Sequence, residues 1–283
     1  MNYFIINPNA GTNRKQQYKA LVNRIQATPS NTILETSRPK HAASLVQKAI
    51  QEGASRIIAV GGDGTINEVA TAMIGTNIPL GIIPIGSGNG LARHLGIPLK
   101  VNKALEHAMQ GKSIQIDAAS FNDQPFFCTA GIGFDASVAH RFAKGKGRGL
   151  LNYIRATIYT LGHYQPIKVS IDNGPWENVF SVSFANANQF GNNAYISPYS
   201  NIQDGLLEVI KIKQLNLFQA TSIGIRLFLG TLPKSKMVET ISCKEIFILY
   251  QSDQHLHLDG EQLFTNSDTL HVKNLPGALH VIA

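Results

Sequence analysis

An α/β domain built on a doubly wound parallel sheet, followed by an antiparallel β-rich domain, is the architecture this sequence predicts, and three observations predict it. Strand-like and helical periods alternate from residue 1 to about 117. From 118 to the end at 283 the texture changes to closely spaced strand-like runs divided by turn signals. The length also exceeds that of a usual single domain, so two cores are expected, with a cleft between them.

In the first half, Tyr3–Ile6, Thr32–Leu34, Arg56–Val60 and Pro79–Pro84 are short apolar or β-branched runs and read as strands. Between the first two, Tyr18, Leu21, Val22 and Ile25 recur at the spacing of a helix with one apolar face. Leu45, Val46, Ala49 and Ile50 make a second such face, which Gly53 stops. Strands separated by helices of this length pair in parallel, and ligands of such sheets sit beyond the carboxyl ends of the strands. The later strand-like runs are Ser113–Phe121, Phe126–Ile132, Ile167–Asp172, Val179–Asn186, Leu206–Ile212, Glu245–Tyr250 and Leu270–Val272. Asn122-Asp123 and Asp172-Asn173-Gly174-Pro175 are turn signals among them. Helices are expected near 149–163 and 215–230, and the seam falls near 111–118, which gives domains of 1–117 and 118–283.

Composition excludes several classes. At 43% hydrophobic and 15% charged, with no low-complexity run, the chain is an ordinary globular one. Cys128 and Cys243 each lie in an apolar run without metal-ligand spacing and are expected to be buried thiols, not a disulfide or zinc framework. The start runs directly into a strand, and no segment approaches the roughly 18 apolar residues of a membrane span, so cytoplasmic residence is expected. A net charge of +7 attracts anions, whether nucleotide, nucleic acid or membrane. Nucleic acid is disfavoured, because no basic stretch is interleaved with aromatics and no recognition-helix pattern occurs.

The chemistry concentrates at Val60-Gly61-Gly62-Asp63-Gly64-Thr65-Ile66-Asn67-Glu68, where an apolar strand runs into a glycine-rich turn and a helix. Glycines let the backbone approach an anion, the helix start adds its positive dipole end, and Asp63 can reach a magnesium ion or its waters. Asn7-Pro8-Asn9-Ala10-Gly11 and Gly86-Ser87-Gly88-Asn89-Gly90 end two further strands, so three loops converge on one sheet edge. Neither a P-loop nor a Gly-x-Gly-x-x-Gly dinucleotide fingerprint is present.

These three loops, in this order and centred on Gly61 to Glu68, resemble the diacylglycerol kinase and sphingosine kinase family of lipid kinases over essentially the whole chain. The resemblance implies an N-terminal nucleotide domain like that of NAD kinases and phosphofructokinases, a β-rich lipid domain, and ATP with Mg2+ bound between them. It places Asn7, Pro8, Asn9, Ala10, Gly11, Thr36, Gly61, Gly62, Asp63, Gly64, Thr65, Ile66, Asn67 and Ser87 at the ATP. Thr36 has a structural alternative as N-cap of the helix after Pro39. Diacylglycerol-type members carry an acid where this chain has Gly90, and Gly-Ser-Gly-Asn-Gly is closer to the sphingoid-base kinases. The resemblance makes diacylglycerol the leading acceptor, with a sphingoid base or ceramide-like lipid close behind because of Gly90. NAD phosphorylation and a non-catalytic lipid or nucleotide sensor follow as rivals.

In the second half, Leu256-His257-Leu258-Asp259-Gly260-Glu261 alternates up to a turn, and its Asp-Gly-Glu resembles the family's catalytic triplet. Glu261 is thereby identified as the proton acceptor for the attacking hydroxyl, against the alternative of a hairpin with solvated acids. His255 and His257 share one strand face and are expected to be structural. Asn201-Ile202-Gln203-Asp204-Gly205-Leu206 resembles a structural metal loop, implying a Mg2+ or Ca2+ held by Asp204 with the carbonyls of Asn201 and Leu206; an ordinary Asp-Gly turn is the alternative. Gly131-Ile132-Gly133-Phe134-Asp135 resembles a family element near the lipid headgroup, so Asp135 is expected either to bind substrate or to cap the next helix. Arg141, Lys144, Lys146 and Arg148 on a glycine-rich loop suit transient docking at the anionic inner face of the membrane, unless the loop is merely solvated. A homodimer is left open.

Overall fold

Strand and helix alternate through the first part of the computed structural model because each apolar run of four to six residues is followed by a helical period. The structure describes residues 1–11, 14–145, 149–251, 254–265 and 267–283, with 14–17 and 150 described by backbone position. The elements are β1 (Asn2–Ile6), α1 (Arg14–Gln26), β2 (Asn31–Glu35), α2 (Ala42–Gln51), β3 (Arg56–Gly61), α3 (Asp63–Met73), β4 (Leu80–Pro84), α4 (Gly90–His94) and α5 (Val101–Gln110). Then come β5 (Ser113–Phe121), β6 (Gln124–Phe126), β7 (Thr129–Gly133), α6 (Phe134–Lys144), α7 (Leu150–Leu161), β8 (Ile167–Ile171), β9 (Glu177–Ala185) and β10 (Leu207–Lys213). The chain ends with α8 (Leu217–Leu229), a 3-10 turn (Leu232–Lys234), β11 (Val238–Cys243), β12 (Glu245–Tyr250), β13 (Leu256–Leu258), β14 (Glu261–Leu263) and β15 (Thr269–Ile282).

Cα proximity divides the chain into two units, Met1–Ile116 with Gly277–Ala283, and Asp117–Pro276. The first crossing falls between Ile116 and Asp117. The second, at Pro276/Gly277, had no counterpart in the sequence reading, which assigned everything after 117 to one domain. It arises because the last residues of β15 add to the parallel sheet, where Val281 pairs with Leu80.

In the first unit the strands run β4-β3-β1-β2, all parallel. The chain leaves β1 towards β2 on one side and resumes at β3 on the other, so the order reverses between β1 and β3. Crevices at such switch points are where open α/β sheets bind ligands. The core joins Phe4, Ile6, Ile58, Val60 and Ile83 from the strands to Leu21 and Ile25 of α1 and to Ala104, Leu105 and Ala108 of α5. Ile33, Val22 and Tyr18 pack at its edge.

The second unit is antiparallel, as expected of its turn-punctuated sequence. Its path runs β14-β13-β7-β9-β8-β12-β15, with β10 on β9 and β11 on β10. One core lies beneath these strands, with Phe121, Phe126 and Phe184 fully buried. A second gathers Phe180, Ile196, Ile210, Ile212 and Leu232 around Ile223 of α8.

Three expectations need correction. Phe126–Ile132 is two strands, not one, because the N–H groups of Phe127 and Cys128 leave the ladder and donate to the Asp259 carboxylate at 3.0 and 2.8 Å. The expected Leu270–Val272 is the start of a fourteen-residue strand. Cys128 is buried as expected, whereas Cys243 is only half-buried at the end of β11, its thiol pushed up to about 11, first by partial burial and then by nearby carboxylates.

Candidate active site

The three glycine-bearing loops of the first unit are laid side by side by their strands. The backbone ladder continues beyond the strand ends: Asn7 N–H donates to Val60 O at 3.0 Å, Ile85 N–H to Gly61 O at 2.9 Å, and Thr36 N–H to Ile6 O at 2.9 Å. Side chains then tie loop to loop. Asn7 Nδ2 donates to Thr65 Oγ1 at 3.0 Å, and Asn7 Oδ1 accepts the N–H of Asn9 at 2.9 Å, closing the turn before Gly11.

Two glycines are required by contact. A Cβ on Gly86 would lie 2.7 Å from the Gly62 Cα, and one on Gly61 would lie 2.4 Å from the Thr65 Cβ. The loops after β3 and β4 thus pass each other backbone to backbone at the α3 N-terminus, where the first N–H groups of a helix have no intrahelical partner.

Asp63 and Glu68, the two acids of the central motif, hold this arrangement. The Asp63 carboxylate accepts the N–H groups of Asn89 at 2.9 Å and Gly90 at 2.7 Å, clamping the third loop onto the start of α3. Gly90, which occupies the place of the family's extra acid, therefore contributes a backbone donor. Glu68, one turn further on, accepts the N–H of Lys40 at 2.8 Å and of Ala42 at 3.2 Å and so caps α2. The structural alternative for Thr36, capping the helix after Pro39, is not what the structure shows: α2 begins at Ala42 after His41, and Thr36 is buried against the end of β1. Asn89 takes a left-handed backbone, φ 52°, and donates through Nδ2 to Gly86 O at 3.0 Å. Arg93 Nε donates to Gly88 O at 3.0 Å. The sequence did not point to the contact of Glu68, which reaches from α3 to Lys40 and Ala42 some 26–28 residues away.

One carboxylate beside an anion-binding loop is a donor set that suits a hydrated Mg2+, which keeps most of its waters.

In the second unit, Glu261 opens β14 and is exposed, paired across the hairpin with Leu258. Asp259 and Gly260 form the turn with φ 46° and 81°, the two left-handed residues of a tight hairpin. Asp259 anchors it: its carboxylate accepts the N–H groups of Phe127, Cys128 and Thr129 at 2.8–3.0 Å, while its own N–H donates to Thr129 O at 2.7 Å. The triplet thus divides its work. Asp259 fixes the turn and Glu261 is presented by it.

Asp135 lies in the first turn of α6 and does more than cap it. Oδ1 accepts the adjacent Ala136 N–H at 2.9 Å, and Oδ2 accepts the Ser183 hydroxyl at 2.6 Å. His257 Nε2 stands 3.3 Å from the same Oδ2, so this buried histidine has an acidic neighbour that its own strand does not supply. The side chain of His257 is 1% exposed and that of Asp135 10%. No local pattern could reveal this pair, 122 residues apart. Burial, and secondarily the charge of Asp135, pushes the phenols of Tyr153 and Tyr164 above their usual range, so both stay protonated donors. His255 precedes β13 and stacks on His140 at 4.0 Å.

The metal-loop residues are hydrogen-bonded within the protein. Asn201 Oδ1 accepts Gln203 N–H at 3.1 Å, Asp204 Oδ1 accepts Leu206 N–H at 2.9 Å, and Leu206 O accepts Asn274 Nδ2 at 2.9 Å. Buried Asp117, not anticipated, accepts Gly205 N–H at 2.7 Å. Of the basic loop, Lys146 and Arg148 fall outside the described residues, and Arg141 sits in the last turn of α6 with its guanidinium 3.2 Å from the centre of the Tyr159 ring.

Residues 2–121 match the diacylglycerol kinase catalytic domain, and residues 128–283 match the YegS C-terminal NAD kinase β-sandwich-like domain. The chain is 33% identical over 252 residues to the lipid kinase YegS of Escherichia coli K12, covering 84% of this chain and 81% of that one. It is 34% identical over 250 residues to a YegS protein of Escherichia fergusonii, with the same coverage. A solved structure of a diacylglycerol kinase from Bacillus anthracis superposes with a TM-score of 0.71 at 22% identity, covering 99% of this chain and 96% of that one. A second solved chain from the same organism reaches 0.78 at 24%, with the same coverage. The chain belongs to the diacylglycerol kinase-like family of lipid kinases. As a member it is a phosphotransferase whose acceptor is an alcohol.

Proposed function

We propose that this protein transfers the γ-phosphate of ATP to a hydroxyl of a membrane lipid, with diacylglycerol as the leading acceptor and a sphingoid base or ceramide-like lipid second. The observation that carries the reading is the interlocked set of three loops at the switch point of the first unit, with Asp63 clamping Asn89 and Gly90. Backbone N–H groups at Gly62, Gly64 and Thr65 bind phosphate oxygens, helped by the dipole of α3. Asn7 to Gly11, Thr36, Ile66, Asn67 and Ser87 complete the nucleotide's surroundings. Asp63 would hold a hydrated Mg2+, which would supply neutralisation of the phosphate charge. Glu261 accepts the proton of the attacking hydroxyl, and Asp135, fixed by Ser183 and His257, orients the lipid's polar end.

A hard cation at Asp204 with the carbonyls of Asn201 and Leu206 fits the donor chemistry there and would act by position alone. No described helix is long and apolar enough to cross a membrane. The working site we propose is the cytoplasmic face of an anionic membrane, visited transiently.

The test is transfer of label from γ-labelled ATP in the presence of mixed micelles containing diacylglycerol, sphingosine or ceramide, and of NAD in solution. Label enters diacylglycerol and vanishes when the divalent cation is chelated. Label in sphingosine would move the second acceptor to first place. Label in NAD alone, or nucleotide binding without transfer to anything, would overturn the reading.

A further inference from the structure

Helix α8 is apolar on opposite sides, although it lies at the surface. One side is accounted for: Ile223 is buried and Leu227 packs with it against Ile210, Ile212 and Leu232. The other side is not. Phe218, Ser222, Ile225 and Leu229 follow at spacings of four, three and four residues, which forms one ridge along the helix. Phe218 is 88% exposed, Leu229 69% and Ile225 58%, and Leu217 and Phe228 flank the ridge, also exposed. A helix with two apolar sides, only one of them covered by its own protein, presents the other to a second apolar neighbour.

The helix is held rigid for that contact. Asn216 and Gln219 form a reciprocal capping box at its start, and Gly230, φ 64°, ends it. Charge selects the neighbour. From Val209 to Val238 there is no Asp or Glu, whereas Lys211, Lys213, Arg226, Lys234 and Lys236 fall in that stretch. Lys211 and Lys213 are paired with Glu177 and Glu239, but Lys234 and Lys236 are exposed and are in no ion pair among the described residues. Leu232–Lys234 packs directly against α8, and Met237 Sδ accepts a hydrogen bond from Gln219 in the first turn of α8, so the segment that carries these cations runs back along the helix. A second copy of the chain would set this face against an identical one, which offers the same cations and no acid from Val209 to Val238. An anionic bilayer complements both features, with acyl chains for the ridge and headgroup charge for the lysines.

We propose that α8 is the membrane-docking element, lying in the interface of an anionic bilayer with Phe218, Ile225 and Leu229 inserted and Lys234 and Lys236 at the headgroups. The proposal rests on the lipid-kinase reading, since it names the surface through which that reaction's acceptor is reached.

The experiment is co-sedimentation of the full chain with vesicles of phosphatidylcholine alone or mixed with phosphatidylglycerol, for wild type and for Phe218→Glu/Leu229→Glu. Both substituted positions are exposed, and an unchanged melting temperature verifies folding. In parallel, phosphorylation of water-soluble short-chain diacylglycerol and short-chain sphingosine is measured without vesicles. Wild type is expected on the mixed vesicles, with salt releasing it, and the double variant falls roughly tenfold in partition while keeping its rate on the soluble acceptors. Equal sedimentation of both proteins overturns the proposal. So does concentration-dependent dimerisation of wild type that the variant abolishes, since it makes the ridge an interface between copies. Vesicle binding as expected, with no soluble acceptor phosphorylated, leaves α8 as a docking element and overturns the kinase reading instead.

Discussion

At the scale of single residues, the acids of the two motifs separate into those that build and those that are presented. Asp63, Glu68 and Asp259 each accept two or three backbone N–H groups from another segment, and Glu261 stands exposed at a strand start beside a turn held by one of them. Removing a builder leaves those N–H groups unpaired. Asp259→Ala is therefore expected to lower stability by roughly 2–4 kcal/mol in denaturant titration and to reduce turnover with it, because the Glu261 turn loses its anchor. Asp135→Asn tests the lipid end: the carboxylate facing Ser183 and His257 loses its charge at constant shape, so KM for the lipid is expected to rise while nucleotide affinity stays constant. An unchanged KM would assign Asp135 to the fold alone.

At the scale of elements, the crossing of the β3 and β4 loops demands glycine on both sides. Gly86→Ala puts a methyl group 2.7 Å from the Gly62 Cα, backbone against a fixed helix start, and should cost about 1–3 kcal/mol of stability together with a loss of nucleotide affinity by calorimetry. Gly224→Ala, in α8 with nothing within 4 Å of the added carbon, is the matched control and is expected to be neutral or mildly stabilising. Helix α2 depends on a side chain from α3, so Glu68→Ala should cost about 1 kcal/mol and speed amide exchange in the first turn of α2.

At the scale of the whole molecule, what was legible in the sequence is what local order writes there. The parallel sheet was visible because Tyr3–Ile6, Arg56–Val60 and Pro79–Pro84 are contiguous apolar runs. The glycine-rich turn into α3 was visible because glycine, acid and helix start are adjacent in Gly61 to Glu68. Contacts made across long stretches of chain leave no period. The clamp of Asp259 on residues 127–129, the meeting of Asp135 with His257, and the return of residues 277–283 to the first unit were accordingly not legible, and β11 was missed as an edge strand with little apolar character. The exposed ridge of α8 was in the sequence as a helix near 215–230. Only burial distinguishes its inner from its outer apolar side.

The most direct test of the account is single-turnover transfer of labelled γ-phosphate to the preferred lipid by wild type and by Glu261→Gln, with nucleotide affinity measured on both. The account predicts that Glu261→Gln binds nucleotide as wild type does and loses transfer by roughly two to four orders of magnitude, the contribution of a positioned proton acceptor. Transfer at the wild-type rate by Glu261→Gln would contradict it and remove Glu261 from the chemistry.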